Sequence, residues 1–100
     1  MSFVTVARVE DVPPGTVARV QAGDEEIALV NLDNEFYATQ GQCLHLQGPL
    51  GDGRIEEGYL VCPWHGWHYD VRTGLNDFDH AIRIKTYEVR VEDGEVQVAV

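Results

Sequence analysis

Both cysteines of the chain and three of its four histidines lie within residues 43–70. Each cysteine is followed closely by a histidine, first as Cys43-x-His45 and then, after sixteen intervening residues, as Cys62-x-x-His65. Thiolate and imidazole ligands suit zinc, copper and iron–sulfur centres, whereas hard cations prefer oxygen ligands. The two Cys-His pairs therefore form a repeated half-site, in which each of two loops offers one sulfur and one nitrogen.

Other uses of these side chains stay open at this point. One zinc ion accepts the same two thiolates and two imidazoles in a tetrahedral site. A catalytic Cys-His nucleophile needs only one pair and leaves the second unexplained, and a reducing cytoplasm disfavours a disulfide. His68, Asp77 and His80 could form the iron site of an oxygenase, but a chain of 100 residues has no second domain to enclose a substrate. We expect His68 to be a solvated loop histidine on the face opposite Trp67.

The clearest element that could position these loops is a hairpin in the segment TYEVRVEDGEVQVAV, residues 86–100. Apolar residues alternate with polar ones on both sides of Asp93-Gly94, a dipeptide that favours the positive φ angles of a two-residue turn. The resulting register gives one apolar face, made by Val91 with Val96, Val89 with Val98 and Tyr87 with Val100.

The preceding sequence predicts further short strands. TVARVQA, EIALVNL and EFYAT are separated by Gly23-Asp24 and Asp33-Asn34, a pattern typical of a three-stranded meander. VTVARV near the start predicts another strand, and VPPG after it predicts a turn. We therefore expect a single all-β domain over residues 1–100, an antiparallel β-sandwich or incomplete barrel. Residues 41–80 are richer in Gly, Pro and Asp and predict a loop-rich subdomain, where functional sites tend to lie.

Composition restricts the function further. Seventeen acidic and seven basic residues give a net charge of −10, which argues against binding to nucleic acid. The charge could steer the chain toward a basic patch on a protein partner, or it could serve solubility alone. No apolar run approaches the ~20 residues that cross a bilayer, and MSFVTVARVE is unlike a secretory signal. We expect a cytoplasmic protein that binds no membrane.

The segments CLH and CPWHGWHYD resemble the cluster-binding motif of Rieske iron–sulfur proteins, C-x-H followed by C-x-x-H. In that family two cysteines hold one iron of a 2Fe-2S cluster and two histidines hold the other. The resemblance implies that Cys43 and Cys62 bind the inner iron. It implies equally that His45 and His65 bind the outer iron, near the surface. The meander and the terminal hairpin also resemble Rieske ferredoxins, so the likeness extends over most of the chain.

The chain departs from some members of this family. High-potential Rieske proteins of cytochrome bc complexes carry two further cysteines, joined by a disulfide, and a serine after HG. This chain has only two cysteines and has Trp67 in place of the serine. Tyr69 is retained, and its position implies a hydrogen bond to a cysteine sulfur. The segment expected to cover the cluster reads NDFDHAIRIK and lacks the proline common in relatives.

The apolar side chains beside the ligands have two readings. Trp64, Trp67, Leu44 and Leu46 could pack in the core, which is the rule for large apolar residues. Alternatively, some shield the cluster from water while others stay exposed as a docking patch. Both readings concern the surroundings of the cluster rather than its ligands.

The resemblance implies that the chain is an electron carrier and not an enzyme. It would hold one Rieske-type 2Fe-2S cluster and pass electrons from an NAD(P)H-dependent flavoprotein reductase to a terminal oxygenase. We expect a monomer when the chain is not bound to these partners. Two alternatives remain: a small subunit of assimilatory nitrite reductase, whose members often lack some of the ligands, and a zinc-stabilised binding module with no redox role.

Overall fold

The structure, a computed structural model, describes residues 2–43, 48–64 and 66–100. These residues form ten β-strands and two short 3-10 helices. The strands are β1 (Phe3–Arg8), β2 (Thr16–Ala22), β3 (Glu25–Leu32), β4 (Glu35–Gln40), β5 (Arg54–Glu56), β6 (Tyr59–Val61), β7 (His68–Asp70), β8 (Thr86–Tyr87), β9 (Val89–Glu92) and β10 (Glu95–Ala99). The 3-10 helices span Val9–Asp11 and Leu50–Asp52. No helix among the described residues is long and apolar enough to span a membrane.

The strands form three antiparallel sheets, with strand orders β1-β10-β9, β2-β3-β4-β8 and β5-β6-β7. None of these sheets closes on itself within the described residues. The predicted all-β, antiparallel architecture is therefore confirmed, in the form of open sheets and not of a closed barrel. The third sheet lies inside the segment 41–80 that the sequence marks as the loop-rich subdomain.

The meander forms as predicted. Asp33 and Asn34 both have positive φ, 53° and 70°, at the tight turn that joins β3 to β4. Gly23 has a φ of 61° at the turn between β2 and β3. Such turns match the right-handed twist of the strands that they connect. The predicted N-terminal strand forms β1, which pairs with β10.

The terminal hairpin follows the predicted register near its turn, where Val91 pairs with Val96 and Val89 with Val98. The hairpin ladder ends before the third predicted pair, because Tyr87 belongs to β8 and pairs with Ala38 of β4 in the larger sheet. The chain changes sheets at this point, which alternation in one segment does not reveal. The apolar face is also only partly covered, since half of the Val91 surface is exposed.

Strand β3 separates two hydrophobic cores. Ile27 and Leu29 point into a core shared with β10, whereas Ala28 and Val30 point into a second core. Successive side chains of a strand point to opposite faces, so β3 is buried on both sides and reads as a continuous apolar run. The second core contains both cysteines, together with Leu50, Leu60, Tyr69, Val71 and Ile84. The cysteines are thus anchored in a packed interior.

Candidate metal centre

The two cysteines occupy equivalent positions in two loops. The backbone N–H of Cys43 donates to the carbonyl of Gly48 at 2.7 Å, and the N–H of Cys62 donates to the carbonyl of Trp67 at 2.9 Å. Each cysteine is therefore the first residue of a loop that its own N–H closes five residues later. The repeated half-site inferred from the sequence corresponds to a repeated backbone geometry at the two cysteines.

Local structure holds both loops at their bases. The first loop is extended by a bridge between Gln42 and Pro49. The second loop joins β6 to β7, and Val61 pairs with His68 beside it. Gly66 has a φ of 71° in this loop, a conformation that glycine adopts without strain. The second loop thus continues the antiparallel pair of β6 and β7, whereas the first is closed by the bridge between Gln42 and Pro49, so backbone pairing positions both cysteines.

Close packing at Gly48 brings the two loops together. A Cβ atom on Gly48 would lie 2.6 Å from the sulfur of Cys62 and 3.2 Å from the side chain of Trp64. Both atoms belong to the second loop, so the first loop approaches the second as closely as a glycine allows. This contact explains why a glycine follows the first pair of candidate ligands.

The buried thiol pair fits a metal. Cys43 and Cys62 are each 1% exposed, and no disulfide joins them. Burial raises the pKa of the Cys62 thiol to about 11. A hydrogen bond from the Trp64 backbone N–H opposes that increase, and the neighbouring Cys43 adds to it. Two thiolates in this place therefore need a positive partner, which a bound metal ion would supply.

The hydroxyl of Tyr69 lies 3.1 Å from the sulfur of Cys43, and both groups are buried. A thiolate or metal-bound sulfur cannot donate, so in the metal-bound state the hydroxyl is the donor. The contact between Tyr69 and a cysteine sulfur, which the resemblance implied, is confirmed. The predicted ligands His45 and His65 lie outside the described residues, as do Leu44 and Leu46.

The two tryptophans beside the second loop differ in burial. Trp67 packs against the second core, and its ring meets that of Phe78 edge-on, with centroids 5.0 Å apart. Trp64 is 47% exposed and Phe78 is 63% exposed. Trp67 thus shields the interior beside the cysteine loop, whereas Trp64 and Phe78 present aromatic surface to solvent.

The covering segment runs antiparallel to the residues that follow the second loop. The N–H of Asp77 donates to the carbonyl of His68, and Asn76 forms a bridge with Tyr69. The Asn76 Oδ1 accepts the backbone N–H groups of Phe78 and Asp79, at 3.0 and 3.1 Å. An asparagine turn therefore shapes this segment in the absence of proline. Sequence reasoning missed this role, although Asn followed by Asp-Phe-Asp is a turn signal.

The alternative iron site does not form. His68 Nδ1 lies 4.0 Å from Asp77 Oδ2, but His80 is an exposed residue of the covering segment. No group of three metal-binding side chains occurs in the described parts of the chain. His68 itself is half-buried in β7, where its ring meets that of Tyr59 edge-on, so the prediction of a solvated loop histidine is wrong. Its position in a strand follows from its pairing with Val61.

An open antiparallel β fold with two paired cysteine loops defines a class of small metal-binding proteins. A family model described as the Rieske [2Fe-2S] domain matches residues 2–88. The chain is 35% identical to the biphenyl dioxygenase ferredoxin subunit of Pseudomonas sp. (strain KKS102), over 98% of this chain and 92% of that protein. The chain therefore belongs to the Rieske [2Fe-2S] family, and its cofactor is one Rieske 2Fe-2S cluster.

Solved structures agree with this assignment. The ferredoxin of Sphingomonas yanoikuyae B1 superimposes with a TM-score of 0.89 at 32% identity, covering 99% of each chain. A chain of the complex of reduced oxygenase and oxidized ferredoxin in carbazole 1,9a-dioxygenase superimposes with a TM-score of 0.87 at 32% identity, covering 97% of this chain and 92% of that one. These relatives are ferredoxins, which agrees with the prediction of an electron-transfer component and not of a catalytic subunit.

The fold is also shared with a putative small subunit of NADPH nitrite reductase. That structure gives a TM-score of 0.85 at 24% identity and covers both chains fully. A likeness at this level of identity shows the fold alone. It therefore gives no support to the nitrite reductase alternative over the ferredoxin one.

Proposed function

We propose that the chain is the ferredoxin component of a ring-hydroxylating oxygenase system. In this role it carries one electron at a time from an NAD(P)H-dependent flavoprotein reductase to a terminal oxygenase. The observation that carries the proposal is the pair of buried cysteines, with the hydroxyl of Tyr69 at the sulfur of Cys43. Support for the partners comes from the relatives, which are named as ferredoxins of biphenyl and carbazole dioxygenases.

The chain would hold the cluster from both loops. Cys43 and Cys62 would hold one iron of the cluster on the side of the second core, because both cysteines are buried in that core. His45 and His65 bind the other iron, as the family pattern implies. A bound cluster supplies the uptake and release of one electron. The protein holds the cluster in place, excludes water from it through Trp67 and donates the hydrogen bond from Tyr69.

We further propose that Trp64 and Phe78 form the docking surface for the redox partners. Both rings are exposed, and they lie on the second cysteine loop and on the covering segment. Exposed aromatic residues beside a metal site are suited to serve as anchors of a transient interface. The acidic residues Asp77 and Asp79 flank Phe78 and are themselves exposed. Phe78 is thus an exposed ring between two carboxylates, which fits an apolar patch bordered by Lys and Arg.

The charge distribution supports the same partner. Four of the seven basic side chains already form ion pairs with carboxylates of the chain: Arg8–Glu10, Arg19–Asp52, Arg54–Glu56 and Arg90–Glu92. These pairs neutralise most of the positive charge locally. The net charge of −10 is therefore the excess of the remaining carboxylates over the three remaining basic side chains, and its field attracts a basic partner. We propose that the chain acts as a single-domain monomer in the cytoplasm.

The proposal is tested by anaerobic electron transfer with purified components. The reduced chain is mixed with the terminal oxygenase of a ring-hydroxylating system, and its reoxidation is followed by visible absorption. We expect rapid reoxidation, and slower reoxidation after Trp64→Ala or Phe78→Ala. Val91→Ala is the control, because Val91 is similarly exposed but lies in a different sheet, which carries neither cysteine loop. Oxidation by the catalytic subunit of nitrite reductase and not by any oxygenase would contradict the proposal.

A further inference from the structure

Among the buried side-chain nitrogen and oxygen atoms of the described residues, only the Nδ2 of Asn76 has no hydrogen-bond partner. Asn76 is fully buried, and its Nδ2 has no hydrogen-bond partner. Its orientation is not ambiguous, because the Oδ1 of the same amide accepts two backbone N–H groups of the covering segment. Buried polar groups almost always have a partner, so an unmatched donor indicates an acceptor that the protein atoms do not supply.

The position of Asn76 places this donor on the cluster side of the fold. Asn76 and Tyr69 are partners in an antiparallel bridge, and bridge partners project their side chains to the same face. On this face Tyr69 reaches the sulfur of Cys43. On the opposite face lie His68 and Asp77, whose side chains approach each other. The amide of Asn76 therefore shares the face that Tyr69 directs toward the cluster.

We propose that the Nδ2 of Asn76 donates a hydrogen bond to a sulfur of the 2Fe-2S cluster, which makes Asn76 a determinant of the reduction potential. This inference rests on the proposed function, because it requires the cluster. The same side chain has two tasks: Oδ1 shapes the covering segment and Nδ2 contacts the cluster. A donor aimed at sulfur stabilises the reduced cluster, which carries one more negative charge. The acceptor is a cluster sulfur because the cluster brings sulfur atoms into this interior.

The direct test is pulsed EPR on the reduced wild-type protein with ¹⁵N in its asparagine side chains. The chain has three asparagines. Asn31 donates to the carbonyl of Val12, and Asn34 lies in the turn between β3 and β4. A weak ¹⁵N coupling to the cluster is therefore assigned to Asn76, and it should vanish in Asn76→Ser. A normal Rieske spectrum without any asparagine coupling would overturn the inference alone. A wild-type protein without a Rieske spectrum would overturn the proposed function as well.

Voltammetry of Asn76→Ser provides the second test. Serine retains a side-chain oxygen that accepts backbone N–H groups in such turns, although more weakly, but it lacks the amide donor. We expect the equilibrium constant for reduction to fall about fivefold, the ratio for one lost hydrogen bond, which corresponds to a potential lower by about 41 mV. A potential equal to that of the wild type would refute the inference.

Variants of a neighbouring residue provide the control for loosening of the covering segment. The Oδ1 of Asp79 accepts the backbone N–H of Ala81, so this side chain also caps the segment. Asp79→Asn removes the charge and keeps the acceptor, whereas Asp79→Ala removes both. The difference between these two variants measures the loss of a cap at constant charge. A shift in Asn76→Ser no larger than this difference would show that Asn76 acts only on the shape of the segment.

Discussion

Replacement of Tyr69 by phenylalanine removes one oxygen atom from the interior beside Cys43. The hydroxyl lies 3.1 Å from the cysteine sulfur, and Tyr69 is fully buried. In the variant, therefore, no solvent water takes the place of the hydroxyl as a donor to the sulfur. The hydrogen bond stabilises the reduced cluster more than the oxidised one, because reduction adds negative charge to the sulfur atoms. Its loss should therefore lower the reduction potential.

The size of the shift follows from the energy of one hydrogen bond. A net contribution of about 1 kcal/mol is typical of an intramolecular hydrogen bond. A factor of ten in the equilibrium constant corresponds to about 1.36 kcal/mol and, for a one-electron couple, to about 59 mV. The reduction potential should therefore fall by about 40 mV. Film voltammetry of the wild-type and variant proteins resolves a change of this size.

Tyr37→Phe is the matched control for this experiment. The hydroxyl of Tyr37 bonds to the carboxylate of Glu35 at the surface, so the same atom is removed without any contact to a cysteine. We expect the control to leave the potential unchanged within error. An unchanged potential in Tyr69→Phe, an increase, or an equal shift in Tyr37→Phe would refute the reasoning.

Four further predictions concern the site and its surroundings. Gly48→Ala should weaken binding of the cluster by about 1–3 kcal/mol, because the new Cβ would overlap the sulfur of Cys62. Gly23→Ala, at a turn with no neighbouring atoms, should retain the cluster. Visible absorption after dialysis measures the cluster that each variant keeps. Cys62→Ser should abolish the colour and lower the melting temperature, because the cluster joins two loops; a coloured variant of wild-type stability would exclude Cys62 as a ligand. The association rate with the oxygenase, measured by stopped flow, should fall steeply between 0.1 and 1 M salt, as the Debye length shrinks from ~10 to ~3 Å; a flat rate would assign the acidic surface to solubility. The wild-type potential should lie in the lower half of the range of roughly −150 to +300 mV, because Trp67 replaces a serine donor and the chain is acidic; a voltammetric value near +300 mV would contradict this.

The sequence was sufficient to predict what depends on local patterns. Alternation and turn residues predicted the meander and the register of Val91 with Val96, because side-chain period and turn type together determine a hairpin. The spacing of the Cys-His pairs predicted the two loops, whose cysteines the structure brings into one core. These features are set within short segments, where few alternatives compete.

Features that depend on tertiary packing were not predictable in this way. Tyr87 joins a different sheet from its hairpin, and alternation does not specify which sheet a strand enters. Asn76 looks like an ordinary polar loop residue in the sequence, yet it is fully buried. Its burial arises because the covering segment folds back against β7. The tight contact of Gly48 with Cys62 likewise depends on how two distant loops meet.

The most direct test of the central claim is the metal content and EPR spectrum of the chain, purified anaerobically from iron-replete cells. If the chain binds a Rieske cluster, iron and acid-labile sulfide should each approach about two per chain. The protein should be coloured, and after reduction it should give the EPR spectrum of a Rieske 2Fe-2S centre. Stoichiometric zinc without sulfide in a colourless protein would contradict the account and would favour the zinc-stabilised binding module.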